Sequence, residues 1–150
     1  MKKLKLHIQV NTKLKYFIPK KKKIKNWIKN ILKENSEITI RIVNISEIKK
    51  INFKYRNCNK PTNILSFEYK DFKKNNYLLL GDLIVCPKII KQESIIQNKN
   101  IESHWAHIII HGTLHLIGYH HNNKFQKNIM EKIEIKIMKK IGYKNPYFIN

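Results

Sequence analysis

The chain carries the segment His111-Gly-Thr-Leu-His115-Leu-Ile-Gly118-Tyr-His120-His121. His111 and His115 are four residues apart, so on a helix their rings lie on one face, about one turn apart. Gly118 permits the left-handed backbone that ends a helix, and His121 then follows in the loop beyond it. Three histidines with an open fourth position are typical of a catalytic zinc site, because the open position holds a water molecule. The spacing therefore predicts a metal site at the end of this helix.

Apolar residues surround the histidines, and they predict a buried helix rather than a histidine-rich surface helix. They are Trp105, Ile108, Ile109, Leu116 and Ile117. Buried imidazoles need partners, which favours metal binding by the group. We predict that the helix begins at Glu102 or Ser103. His104 and His107 lie within two turns before His111, and we expect them to be core-edge histidines bonded to backbone rather than further ligands.

The rest of the chain shows alternating and helical patterns of apolar residues. Alternation predicts strands over residues 4–10, 37–43, 64–68 and 78–86. Recurrence at three and four residues predicts helices over 19–35, 46–53 and 87–98, from 102 or 103 to Gly118, and over 122–142. We therefore predict an α+β fold, in which a single mixed sheet of about four strands packs with about five helices. Arg56 is predicted to lie in a loop over 55–63.

Length and composition favour one globular domain over residues 1–150. Hydrophobic residues make up 42% of the chain, which is typical of globular proteins. Cys58 and Cys86 show no close pairing and no metal-type spacing, which indicates free thiols in a reducing cytoplasm. The start of the chain lacks the apolar run of a signal peptide, and no segment has the length of a transmembrane helix. We therefore expect a cytoplasmic protein that does not contact membranes.

The net charge of the chain is +21, from 31 basic and 10 acidic residues. Such a charge attracts polyanions. The lysines are spread through every segment together with isoleucine and asparagine, so an A/T-biased coding sequence is an alternative origin of the charge. Arginine differs, because only Arg41 and Arg56 occur. A guanidinium binds phosphate through two donors at once, and the alternative role for Arg56 is a structural salt bridge.

Two further segments, together with the histidine segment, carry a resemblance to a known family. They are Tyr55-Arg56-Asn-Cys-Asn-Lys60-Pro61-Thr62-Asn63-Ile-Leu-Ser66-Phe67 and Leu80-Gly81-Asp82-Leu-Ile-Val. All three occur in the order and spacing of the YbeY family of bacterial metal-dependent endoribonucleases, which the chain resembles over nearly its whole length. The resemblance implies that His111, His115 and His121 are the metal ligands and that Arg56 is a catalytic residue. One Zn²⁺ per chain is the cofactor we expect.

The resemblance also implies the activity. The family processes the 3′ end of small-subunit ribosomal RNA and takes part in ribosome quality control. The expected substrate is therefore single-stranded RNA, and the expected partner is the small ribosomal subunit. The sequence departs from the family's usual residues at Cys58, Asn59 and His120. These departures leave the three predicted ligands intact and bear on the surroundings of the metal and on the turnover rate.

Two other functions stay open at the level of sequence. The pattern His-x-x-x-His-x-x-Gly-x-x-His is also that of metzincin proteases, although those enzymes need a glutamate directly after the first histidine and this chain has Gly112 there. The second alternative is a non-catalytic, ribosome-associated RNA-binding factor whose metal only stabilises the fold. Structural zinc sites usually have four protein ligands, and His120 is the candidate for a fourth.

Overall fold

The computed structural model describes residues 2–13, 15–70 and 72–148 of the chain. In this part of the chain, two strand–helix pairs are followed by three consecutive strands and then by three consecutive helices. The strands are β1 (Leu4–Val10), β2 (Ser36–Ile42), β3 (Ile64–Glu68), β4 (Lys73–Lys74) and β5 (Tyr77–Val85). The helices are α1 (Lys21–Lys29), α2 (Ile45–Arg56), α3 (Pro87–Ile96), α4 (Ile101–Ile117) and α5 (Lys124–Lys140).

The strands form one mixed sheet in the order β1-β2-β5-β3, and β4 pairs with β5 beside this path. The pairs β1–β2 and β2–β5 are parallel, whereas β3 and β4 run antiparallel to β5. The predicted α+β class, with a mixed sheet of four main strands and five helices, is confirmed. Within the described ranges, no helix is both long and apolar enough to span a membrane.

The fifth strand was not predicted, because β4 has only two residues and therefore no measurable period. It forms a hairpin with β5 through Asn75 and Asn76, whose φ angles are 51° and 67°. Positive φ at both central residues is the geometry of a type I′ turn, which asparagine tolerates better than most residues. Two adjacent asparagines were the available signal.

Helix α4 packs closely on the sheet because Gly112 has no side chain. A Cβ atom on Gly112 would lie 2.6 Å from Cδ1 of Ile64 and 3.1 Å from Cδ2 of Leu83. The hydroxyl of Ser66 on β3 donates a hydrogen bond of 3.1 Å to the Gly112 carbonyl. Most of the remaining surface of α4 is buried as predicted, with Trp105 fully enclosed, whereas His107, His111 and His115 are half-buried. The histidine helix is therefore fixed in position relative to β3.

Some predicted helix ends are wrong, and one of them concerns a site residue. Helix α2 continues through Arg56, so this arginine is the last helical residue and does not lie in the loop. The helix begins at residue 45, one residue before the predicted range, because Asn44 is its N-cap and accepts from the Glu47 N–H. It ends at Asn57, which adopts the left-handed conformation with φ 54°.

The first and last helices also differ from the prediction. Helix α1 spans nine residues rather than the predicted 19–35, since it begins after Lys20 and ends before Asn30. Helix α5 begins after its N-cap Asn123, two residues later than the predicted range. Phe125 in this helix is 74% exposed, while the buried residues include Met130 and Glu134. The buried face of α5 thus contains a glutamate and leaves an aromatic ring outside.

Candidate metal centre

Local sequence places the first two histidines of the candidate site. The side chain of Asn100 accepts hydrogen bonds from the N–H groups of Glu102 and Ser103 and so starts α4. Gly118 ends the helix with φ 116°, as the sequence predicted, and the chain turns back toward its last turn. This turn brings His121 next to His111 and His115 on the helix.

The three predicted ligands form one cluster. Each of His111, His115 and His121 offers a ring nitrogen, and these nitrogens all lie within 4.8 Å of one another. The Nε2 atoms of His111 and His115 are 3.1 Å apart. Two nitrogens bound at 2.0–2.1 Å to a tetrahedral zinc ion would be about 3.3 Å apart. The spacing of the donor atoms therefore fits a single divalent metal ion.

The outer nitrogens of two rings are held by the protein. Nδ1 of His115 donates a hydrogen bond of 2.9 Å to the Tyr119 carbonyl, and Nδ1 of His111 lies 3.4 Å from Oε1 of Glu134. In both rings the proton is then on Nδ1, and the lone pair of Nε2 points into the cluster. A metal ion requires this tautomer. Burial lowers the pKa of His115 to about 4, with a further contribution from the neighbouring charges of His111 and His121. The ring is therefore neutral at pH 7 and able to bind a metal.

His120 lies beside the cluster without belonging to it. Its ring centroid is 6.2 Å from that of His115, compared with 4.7 Å for His121. In the part of the chain that the structure describes, the group of nitrogens within ligating distance includes His121 and not His120. The arrangement is three imidazoles on one side and an open cavity on the other.

Arg56 reaches the same region from helix α2. Its Nη2 donates a hydrogen bond of 2.8 Å to the Ser66 carbonyl, and its guanidinium carbon lies 5.2 Å from the centroid of the Phe67 ring. Because the Ser66 hydroxyl donates to the Gly112 carbonyl, β3 connects the arginine to the histidine helix. A structural salt bridge was the alternative role for Arg56, but its guanidinium binds a backbone carbonyl. The other arginine, Arg41, forms a salt bridge with Glu47 at 2.9 Å.

The arginine and the three histidines line one open cavity of about 970 Å³. Arg56 lies on its wall together with His111, His115 and His121. The structure thus brings all four predicted site residues to one surface, although Arg56 is 55 positions before His111 in the chain. Phe67 also lines the cavity, so the ring that packs against the guanidinium is part of the same wall.

The family model described as Endoribonuclease YbeY matches residues 8–142 of the chain. The chain belongs to the YbeY family. An Endoribonuclease YbeY from Buchnera aphidicola subsp. Acyrthosiphon pisum (strain APS) is 54% identical over 152 residues, which covers 99% of this chain and 98% of the relative. One from Wigglesworthia glossinidia brevipalpis is 48% identical over 147 residues, with 95% and 97% covered.

The fold has a counterpart among solved structures. The solution structure of a Thermotoga maritima protein superposes with a TM-score of 0.55 at 21% sequence identity. The alignment covers 97% of this chain and 99% of that protein. At this level of identity the similarity concerns the fold alone.

The sequence analysis missed Glu134 on α5. This residue lies outside the three segments that carry the family resemblance, although it lies within the residues that the family model matches. This carboxylate is 1% exposed. Its Oε2 accepts from Nε2 of His107 at 2.5 Å, and its Oε1 accepts from the Tyr147 hydroxyl at 2.9 Å and faces His111. Burial alone would raise the pKa of Glu134, but the hydrogen bonds and charges of His107 and His111 hold it well below its usual range. An acidic residue within the buried stripe of α5 was the available signal.

The predicted backbone partners of His104 and His107 are wrong. His104 bonds to Oε1 of Glu93 at 2.9 Å, and His107 bonds to Glu134. Both carboxylates come from other helices, α3 and α5, so only tertiary packing creates these pairs. Asp82 on β5 accepts a hydrogen bond from the Tyr69 hydroxyl at 2.7 Å.

Proposed function

We propose that this YbeY-family chain is a zinc-dependent endoribonuclease that cleaves single-stranded RNA. We also propose that residues 1–150 act as one domain, and that the protein works in the cytoplasm on the small ribosomal subunit, in 3′-end maturation of its RNA and in ribosome quality control. The observation that carries the proposal is the position of Arg56 in the same cavity as the three-histidine cluster. The names of the relatives support the reaction.

In this proposal His111, His115 and His121 hold one zinc ion. When bound, zinc supplies Lewis acidity, which lowers the pKa of a water ligand and polarises a phosphoryl oxygen. The protein prepares the site by keeping the His115 ring neutral and by directing its Nε2 inward through the Tyr119 carbonyl. Oε1 of Glu134 faces Nδ1 of His111 and so directs the Nε2 atom of this ring inward as well.

Arg56 is the group that we assign to the scissile phosphate. Its planar guanidinium has five N–H donors, and within the described residues one hydrogen bond, to the Ser66 carbonyl, engages it. The remaining donors are available to two phosphate oxygens at once. Charge develops on these oxygens as the phosphodiester bond is attacked, so donors already fixed in place stabilise the transition state.

The protease alternative has no support in the geometry. A metzincin would need a glutamate at position 112 as general base, and the Cβ atom alone would lie 2.6 Å from the Ile64 side chain. This position faces the sheet and not the cavity. We therefore expect activity on RNA and none on casein, and the RNA activity should disappear with a chelator and return with zinc. Cleavage of casein by the purified protein would contradict the proposal.

The alternative of a structural metal requires a fourth protein ligand. Among the described residues, the cluster that contains His111 and His115 includes His121 alone as a third member. The open side of the cluster faces a cavity of about 970 Å³, which provides access for a substrate. The geometry favours a catalytic over a structural metal.

We expect RNA binding to depend strongly on salt. The chain has a net charge of +21, and neutralising phosphates with lysines releases counterions, so affinity falls with each step in salt. If about six phosphates are contacted, the binding constant should fall on the order of 10³-fold between 50 and 200 mM salt. The measurement is fluorescence anisotropy with single-stranded RNA. If the RNA-binding constant barely changes with salt, the lysines do not bind phosphates, and coding bias is the explanation for their number.

Replacing Glu134 by glutamine should weaken zinc binding about 10–100-fold, because carboxylates behind a ligand histidine fix its ring and raise its basicity. Glutamine keeps the volume and removes the charge. The apparent affinity is measured by competition with a chromogenic chelator, alongside the melting temperature. Glu131→Gln changes the same residue type on the same helix, at a carboxylate that is not grouped with the histidines, and it should bind zinc like the wild type. Equal affinities of the two variants would contradict the role of Glu134.

A further inference from the structure

An exposed aromatic side chain lies immediately beside the proposed phosphate-binding arginine. Tyr55 is in the last turn of α2 and 59% exposed. Tyr55 is not on the cavity wall itself, but its ring meets that of Phe67, which is. It therefore extends the cavity wall outward.

The contacts of the ring hold it in place without covering it. Tyr55 and Phe67 meet edge to face, with centroids 5.4 Å apart and an interplanar angle of 69°. This arrangement is favourable for aromatic pairs and fixes the ring direction. Phe67 in turn packs against the guanidinium of Arg56. Phe67 therefore contacts both the Arg56 guanidinium and the Tyr55 ring and fixes their positions relative to each other.

The charge around Tyr55 fits a polyanion. Nζ of Lys54 lies 5.2 Å from the centroid of the Tyr55 ring, and Arg56 follows it in sequence. These two cations outweigh the partial charge of about −0.5 at the helix C-terminus. The acidic residue of the same helix, Glu47, is engaged by Arg41 at 2.9 Å. A ring flanked by cations is the arrangement with which proteins bind single strands, since bases stack on the ring and phosphates pair with the cations.

We propose that Tyr55 is the stacking platform for a base of the RNA strand where it leaves the cavity, with Lys54 bound to the adjoining phosphate. The inference rests on the proposed function, because it names the path of the same substrate. Arg56 binds the phosphate that is cleaved, and Tyr55 holds a neighbouring nucleotide. Stacking requires an unpaired base, so this contact selects single strands over duplexes without reading sequence.

The first test places a fluorescent ring at the platform. The two native tryptophans, Trp27 and Trp105, are 2% and 0% exposed and cannot stack on a base. The full-length Tyr55→Trp variant, loaded with zinc, is titrated with a short 2′-O-methyl RNA strand whose integrity is checked afterwards. We expect saturable quenching by this strand and little by an abasic strand with the same number of phosphates. Equal quenching by both strands, or none, would overturn the inference.

The second test measures affinity with matched substitutions. Tyr55→Leu should weaken binding of the base-bearing strand about 5- to 100-fold and leave the abasic strand unaffected. Phe53 is the control, because it is a similarly exposed ring on the same helix, at 54%. Phe53→Leu should change affinity by no more than about 2-fold, as expected for a surface position outside the contact. Equal losses in the two variants would overturn the assignment.

Failure of this inference is distinguishable from failure of the proposed function. If the wild type cleaves RNA but the Tyr55→Trp signal does not respond to bases, the path assigned to the strand is wrong and the nuclease activity stands. If the signal responds to bases while the zinc-loaded wild type cleaves no RNA, the platform stands and the proposed activity is wrong.

Discussion

Arg56→Lys is expected to cleave single-stranded RNA on the order of 10²–10³-fold more slowly than the wild type, with unchanged zinc content. Lysine keeps the positive charge, so binding of RNA should fall little. It loses the planar pair of donors that matches two phosphate oxygens. It also loses the hydrogen bond to the Ser66 carbonyl and the packing on Phe67 that hold the group toward the cavity. The measurement is single-turnover cleavage beside metal content and melting temperature.

The chain provides a matched control for this change, because it has one other arginine. Arg41 forms a partly exposed salt bridge with Glu47, and lysine can take over such a bridge at a cost of about 0–1 kcal/mol in stability. Arg41→Lys should therefore cleave RNA at the wild-type rate. A wild-type rate for Arg56→Lys would remove Arg56 from the reaction. A large fall in its melting temperature would make the residue structural instead.

His115→Ala is expected to lose its stoichiometric zinc. His115 contributes the Nε2 atom that lies 3.1 Å from that of His111, and its removal leaves two ligands where a catalytic zinc needs three. Elemental analysis of the purified protein gives the zinc content, and cleavage of RNA should disappear with it. Because the Tyr119 carbonyl would also lose its partner, a modest fall in melting temperature is expected as well.

The control for the metal is the adjacent histidine pair. His120 lines the cavity but does not belong to the ligand group, whereas His121 does. His120→Ala should therefore retain zinc, and His121→Ala should lose it. If His120→Ala were empty and His121→Ala full, the third ligand would be His120. Unchanged zinc in His115→Ala would remove the whole cluster from metal binding.

The features that the sequence predicted correctly are those encoded within a few residues. Four-residue spacing puts His111 and His115 on one face because a helix has 3.6 residues per turn. Gly118 ends the helix because its backbone adopts positive φ, and this local turn returns His121 to the cluster. The main strands were equally readable, since alternation along a strand reports which face is buried.

Helix ends were less predictable because several residues compete for each cap. Asn44 and Ser46 are both good N-caps, and the structure uses Asn44, while Asn57 closes the helix after Arg56. The result is that Arg56 is held by helical backbone, with a direction set by the whole of α2. The sequence identified the residue from its chemistry and its family segment, but misjudged the element that carries it.

Tertiary structure alone decided which side chains surround the histidines. Glu134 is 27 positions after His107 in the chain, and its contacts with His107 and His111 arise only because α5 packs against α4. Arg56 meets the cavity through Ser66, which lies 46 positions before its own partner, Gly112. Spacing along one helix brings His111 and His115 together, since local geometry determines it. Contacts between separate elements depend on how apolar faces pack, which no local pattern encodes.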